Sequence, residues 1–357
     1  MDSSVSSVEE TKVQEPKRDE AFLAACVIYF IVLLAFVGLR IAGGLGWFDK
    51  IGDKSSDVLF TLLSQIVIMF AIPVFGMMLY RKKRSIDVPV GVKTVLGGFG
   101  FNKPSGRVVG YSFILGALLY LFNIFVAGIC YIILLVFGYR FPVSGDYAFT
   151  GVVGFFITML FVAVLPGLCE ETAHRGLLLR GFVPKLGVMK AVLVTSIIFG
   201  LMHLNIVQCV YAAVLGYIIA LAVLATRSIW TGVIMHFMNN GINVLFSYSA
   251  ANNWDVGGLL ESVSGFLSSM SFIIFVGFAF GAYCLMLVII NMFAKENFKK
   301  EKPDAVLPPL NLFKATPFYL NDGRKPLPMT ALERTFFVGI ILLGSVVTAM
   351  TFVWGML

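Results

Sequence analysis

Charge is scarce in this chain: Asp, Glu, Lys and Arg make up 13% of its 357 residues, against roughly a quarter in an ordinary soluble domain. With 59% hydrophobic residues and 34 phenylalanines, the composition excludes a soluble enzyme, a nucleic-acid binder and a disordered chain. Paired cysteines are also missing. The five present, Cys26, Cys130, Cys169, Cys209 and Cys284, include no CxxC, and most lie inside apolar runs. They read as small buried side chains, not as a disulfide framework or a zinc site. No HExxH occurs, no internal repeat and no low-complexity tract. Two glycine clusters remain: GGLG at 43–46 reads as a turn between spans. GGFG at 97–100 lacks the strand and helix context of a phosphate loop. The first apolar run is too long for a signal-peptide core and has no clear small-residue cleavage site, so it is expected to stay as an anchor.

Long apolar runs are abundant. A helix needs about 20 apolar residues to cross the hydrocarbon core, and runs of suitable character cover about 21–43, 57–80, 109–138, 147–168, 188–204, 207–225, 229–248, 266–293 and 335–356. The expected fold is an all-α polytopic transmembrane bundle of about eight to nine spans. With the N-terminus inside, only Arg40, Lys50, Lys54 and Arg140 of the 27 basic residues fall outside, which orients the chain by the positive-inside rule. Basicity, a net +7, therefore reports topology and not a polyanion partner. The expected layout is a polar cytoplasmic segment 1–20, N-terminal membrane helices 21–138 with a basic loop 81–108, a core 147–248, and C-terminal helices 266–357 containing an exposed linker 294–334. The cluster Arg81, Lys82, Lys83, Arg84 reads as a stop-transfer anchor drawn to anionic head groups.

Ionisable groups at membrane depth cost several kcal/mol, so each one there is a functional hypothesis. Of the 20 acidic residues, all but Glu170 and Glu171 fall in polar segments, loops or span edges. The chain has three histidines, His174, His203 and His236, and all lie within the same stretch. On a helix Glu171 and Arg175 stand four apart, as an ion pair requires, leaving Glu170 to face elsewhere, with His174 one turn on. His203 follows Phe199 by four residues at the end of the fifth run. His236, Asn240 and Asn243 form a polar stripe down the seventh. Singly, these read as a structural ion pair, an interfacial histidine and a helix-packing seam; together they point to one site. Peptide hydrolysis needs a positioned water, a proton acceptor and donors for the oxyanion, and this set contains candidates for each.

The motifs EExxxR (Glu170, Glu171, Arg175), FxxxH (Phe199, His203) and HxxxN (His236, Asn240), in that order on successive helices, resemble the CPBP intramembrane metalloprotease-like superfamily, which includes type II CAAX prenyl endopeptidases and bacteriocin-processing or self-immunity proteins. The resemblance covers roughly 147–248. The residue before the motif arginine, usually aromatic, is here His174. The resemblance implies a glutamate-dependent intramembrane endopeptidase whose motif helices enclose a cavity. Glu170 would activate water, His203 would hold it, and His236 and Asn240 would hydrogen-bond the oxyanion, with Glu171 and Arg175 fixing the helix behind. No cofactor or metal is expected. The expected partners are the bilayer and a membrane-associated peptide or protein substrate, prenylated or a peptide precursor, and not nucleic acid. The expected location is a plasma or inner membrane with a cytoplasmic N-terminus. Because Glu170 ends the fourth apolar run, a cavity open to the cytoplasm or sideways to lipid is expected.

Three alternatives stay open. Glu170, His203 and His236 could be zinc ligands with an open water position. Cys169 could be a nucleophile, although nothing marks it as activated. The polar cluster could also serve a scaffold, an immunity protein or a transport path.

Overall fold

The computed structural model describes residues 18–84, 90–141, 150–252, 265, 272–305, 312–321 and 326–356. All but the last three residues of the polar segment 1–20 lie outside this set. Among the described residues the regular structure is helical. This follows from the apolar composition, because in hydrocarbon a backbone must satisfy its own hydrogen bonds. Helix α1 is Arg18–Gly44. Helix α2 joins Asp53–Leu62, a π-helical stretch Leu63–Ala71, and Ile72–Arg84. Then come α3 (Val92–Phe99) and α4 (Gly106–Val136). Helix α5 runs unbroken through Gly151–Met159, the π-helical Leu160–Val164, Leu165–Glu171, the π-helical Thr172–Leu179, and Arg180–Leu186. Helices α6 (Val188–Met202), α7 (Ile206–Thr226), α8 (Ile229–Ala251), α9 (Phe272–Glu301), α10 (Leu312–Leu320) and α11 (Ala331–Met356) complete the chain.

Among the described residues seven helices are long and apolar enough to cross a membrane: α1, α2, α4, α5, α7, α9 and α11. The protein is an integral membrane protein built as a polytopic helical bundle. The two other expected spans are helical but differ in kind. Helix α6 has 15 residues, about 22 Å at 1.5 Å per residue, short of a full crossing. Helix α8 is long enough at 23 residues, but its histidine and asparagines lower its hydropathy.

The largest departure concerns the fourth span, which was expected to end near residue 168. Helix α5 continues to Leu186 because residues 171–179 are all buried by neighbouring helices and Glu171, Thr172, His174 and Arg175 each make hydrogen bonds there. Glu170 therefore lies in mid-helix. Two expected loops also contain packed helices. In 81–108, α3 buries Val95 and Phe99, and the Phe99 ring sits over Gly176, where a Cβ would be 2.9 Å from it. Gly100, at φ +93°, ends α3 in the left-handed conformation. In 294–334, α10 buries Ala315 and Thr316, and Thr316 Oγ1 donates to Asn291 Oδ1 at 2.6 Å.

One end of the bundle collects the basic residues. Arg81 Nη1 donates to Thr94 O at 3.4 Å, Arg180 lies against Gly100, and Ile229 N donates to Gly100 O at 3.1 Å. Arg107 pairs with Glu296 at 3.0 Å and Arg227 with Glu301 at 2.6 Å. At the opposite end Arg140 N donates to Gly355 O.

A buried ion pair ties α11 to this basic end: Lys185 Nζ and Glu333 Oε2 are 3.0 Å apart and both 2% exposed. Glu333 also closes a capping box, accepting from Thr330 N at 2.7 Å while Thr330 Oγ1 accepts from Glu333 N at 3.3 Å. Removing one partner of such a pair strands a charge. We expect Glu333→Ala to lower stability by about 3–5 kcal/mol, and Glu333→Leu with Lys185→Met to recover most of it, measured by unfolding of the purified protein in detergent.

Candidate active site

Glycine sets the approach of the helices that carry the site. A Cβ on Gly167 would stand 3.1 Å from Val233 O and 3.3 Å from Phe237 N; three residues on, α5 presents Glu170 to α8. A Cβ on Gly200 would meet the Cys209 carbonyl; three residues on, α6 ends at His203. Small residues at membrane helix interfaces permit such close contact.

At the centre is the Glu171 carboxylate, which is fully buried. Its Oε1 accepts from Arg175 Nη1 at 2.7 Å and from His236 Nδ1 at 3.0 Å. Arg175 donates its Nη2 to Gly216 O at 2.9 Å, and its guanidinium lies 4.6 Å from the Phe199 ring centre. One carboxylate thus links α5 to α8, and its arginine reaches α6 and α7. Donation from Nδ1 leaves Nε2 of His236 as the atom facing the cavity, 4.0 Å from Glu170 Oε2.

Glu170 faces away from that pair, as the helical spacing predicts, and its side chain is 15% exposed. Its Oε1 accepts from Gln65 Nε2 at 3.0 Å, on the π-helical stretch of α2. His203 stands at the end of α6, where last-turn carbonyls have no helical donor. Its Nδ1 donates to Phe199 O at 2.9 Å, which turns Nε2 the other way. The next residue, Leu204, is buried at φ +48°, a strained conformation for a branched side chain. It lets the chain reverse at once into α7, where Asn205 Oδ1 caps Val207 N at 2.8 Å.

Asn240 is set by a proline. Pro166 has no N–H to give the carbonyl four residues back, and Asn240 Nδ2 donates to that carbonyl, Val162 O, at 3.1 Å. Asn239 Nδ2 donates to Asn240 Oδ1 at 3.0 Å, and Asn123 Nδ2 to Asn239 Oδ1 at 3.1 Å. One amide N–H of Asn240 is thereby committed to the backbone and one remains for another acceptor.

Glu170, His203, His236, Asn240 and Asn243 all line one cavity of about 410 Å³, with Phe199, Tyr120, Asn123, Gln208 and Tyr211. Glu171 and Arg175 lie behind it. His174 turns away: Nδ1 donates to Glu170 O at 2.7 Å, so Nε2 accepts from Tyr29 Oη at 2.7 Å. Cys169 is buried and does not line the cavity; all five cysteines are free thiols. Sequence reasoning missed Gln65, Asn123 and Asn239. A carboxamide inside an apolar run was their signal, and attention to ionisable groups alone passed over it.

The fold and site define a polytopic helical membrane protein with an acid, two imidazoles and several carboxamides converging inside the bundle. Residues 152–242 match the family described as Type II CAAX prenyl endopeptidase Rce1-like, and the stretch contains every motif residue from Glu170 to Asn240. The resemblance to the CPBP and CAAX protease family therefore holds over this core. Neither a curated protein nor a solved structure matches the chain.

Arg175→Lys removes the second guanidinium donor and the flat cation over Phe199, and an ammonium cannot replace both. We expect it to cost about 2–4 kcal/mol, as for a broken buried hydrogen-bonded ion pair, measured by thermal unfolding alongside Lys190→Arg, an exposed control expected to be neutral.

Proposed function

We propose that this protein is an intramembrane endopeptidase in which Glu170 activates water for attack on a peptide bond of a membrane-associated substrate. The observation that carries this reading is the 4.0 Å gap between Glu170 Oε2 and His236 Nε2 at the base of the cavity. It is too long for a direct hydrogen bond, but a single water hydrogen-bonded to both fits it. Gln65 holds the carboxylate and Glu171 holds the imidazole, so neither group reorients to meet that water, which is the preorganisation general-base catalysis needs.

Glu170 takes the proton of the attacking water. His203, its Nδ1 engaged by Phe199 O, offers Nε2 as a further contact for the same water. The oxyanion then meets His236 and Asn240. To donate from Nε2, His236 carries a proton on both ring nitrogens, its Nδ1 still donating to the Glu171 carboxylate at 3.0 Å. Glu171 is thus a positioning residue for His236 as well as the partner of Arg175. Asn240 donates its remaining N–H without bringing a charge to membrane depth. Glu170 finally returns its proton to the leaving amine.

A zinc-dependent reading draws on one feature: both cavity-facing Nε2 atoms belong to rings whose Nδ1 donates to a carboxylate or a carbonyl, the arrangement common among metal-bound histidines. Among the described residues no three His, Cys, Asp or Glu side chains come together at metal-binding spacing. Metal analysis of the active protein and cleavage in the presence of a chelator separate the two readings.

The basic helix ends would be cytoplasmic, with the N-terminus on that side of a plasma or inner membrane, and residues 147–248 would form the catalytic core. The test compares new N-termini by quantitative mass spectrometry in membranes carrying equal amounts of wild-type protein or Glu170→Gln. We expect a set of termini to fall about 10²-fold or more with Glu170→Gln, with His203→Ala and Asn240→Ala reducing the same set. An unchanged set overturns the proposal in favour of a scaffold.

A further inference from the structure

The cavity has a direction. Four of the helices that line it contribute residues from the level of Glu170 and His236 toward the end away from the basic cluster. On α5 these are Val162, Pro166 and Glu170, and on α8 they run from His236 to Asn243. On α7 they are Gln208 to Leu215, the half nearer its N-terminus, and on α4 they run from Tyr120 to Ala127, toward its C-terminus. Exposure rises the same way. Glu171 is fully buried and His236 is 4% exposed, whereas Val162 is 41% exposed and Asn243 lies open.

Toward the basic end the cavity is closed. Residues 171–179 of α5 are all buried. Tyr29, Phe182 and Phe199 are nearly inaccessible, and the Arg175 bond to Gly216 O crosses the gap between α5 and α7. Ten residues of α5 separate Glu170 from Arg180, about 15 Å of helix, so the reacting carboxylate lies near the middle of a hydrocarbon core about 30 Å thick. The expectation of a cavity open to the cytoplasm or sideways to lipid rested on a fourth span ending near residue 168; α5 instead continues to Leu186, which puts Glu170 in mid-helix.

The lining chemistry narrows the occupant. Asn123, Gln208, Asn239, Asn240 and Asn243 line the cavity, with Tyr120 and Tyr211. Carboxamides both donate and accept, as a stretched peptide backbone does, and bring no charge. Among the described lining residues there is no Lys or Arg, so nothing there would pair with the carboxylate of a chain terminus.

We infer that the cavity admits an uncharged, extended internal segment of a membrane-anchored polypeptide from the face opposite the basic helix ends, which is the outer face when those ends are cytoplasmic. A protein whose lipid-modified C-terminus is held at the cytoplasmic face would approach the closed side. The direction of opening is inferred from the lining residues and their exposure; that the entering segment is cut rests on the peptidase reading above.

The test places single new cysteines in the full-length protein, Asn243→Cys at the mouth and Lys103→Cys at the basic end, with the wild-type chain setting the labelling background. Right-side-out membrane vesicles are treated with a membrane-impermeant maleimide before and after permeabilisation. The expected result is labelling of Asn243→Cys in sealed vesicles and of Lys103→Cys only after permeabilisation. Labelling of Asn243→Cys only after permeabilisation, in neither condition, or from the same side as Lys103→Cys overturns the inference. None of these readouts depends on catalysis: the expected labelling with no termini lost in Glu170→Gln would leave the outward cavity standing and remove the peptidase reading. Conversely, lost termini that map to cytoplasmic tails would keep the peptidase reading and overturn the outward route.

Discussion

The arrangement depends on one buried carboxylate. Glu171 has no access to solvent and binds an arginine and a histidine through the same oxygen. A lone charge at that depth would be costly, and its cost falls only when a cation and hydrogen-bond donors surround it. Meeting that need forces α5 and α8 together, and Arg175 then extends the constraint to α6 and α7. Because the pair lies on one side of α5, the adjacent Glu170 is turned to the other, into the cavity. The neutralised carboxylate and the cavity-lining one are consecutive in sequence and separated by the helical rotation between neighbours.

The site is a sequence of commitments made by backbone geometry. Pro166 leaves a carbonyl that takes one Asn240 proton, the end of α6 leaves a carbonyl that takes the His203 Nδ1 proton, and Glu171 takes that of His236. Each interaction uses one face of a bifunctional group and leaves the other toward the cavity. Wide π-helical turns lie on either side of Glu170 in α5 and at Gln65 in α2. Such turns are frequent at functional sites because they re-aim side chains within a helix.

Much of this was legible in the residues. Composition and run length gave a helical membrane bundle, and the scarcity of intramembrane acids and histidines made the few present conspicuous. Helical spacing placed Glu170 and Glu171 on different faces and set His236, Asn240 and Asn243 in one stripe. Gln65 and Asn123 come from helices far away in sequence, and no spacing rule connects them to Glu170. His174, one turn from Glu170, is drawn off by Tyr29, a partner 145 residues distant.

Sequence by itself determined that the protein lies in a membrane, that its helices are of these approximate extents, and which few ionisable groups stand inside the apolar runs, because hydropathy and helical periodicity are local properties. Tertiary structure alone decided which nitrogen of His203 and of His236 is left toward the cavity, which residue holds Glu170, and that His174 is drawn away from it. Those outcomes follow from how neighbouring helices bury 171–179 and hydrogen-bond Glu171, His174 and Arg175, a long-range effect that lets α5 continue where its own hydropathy falls.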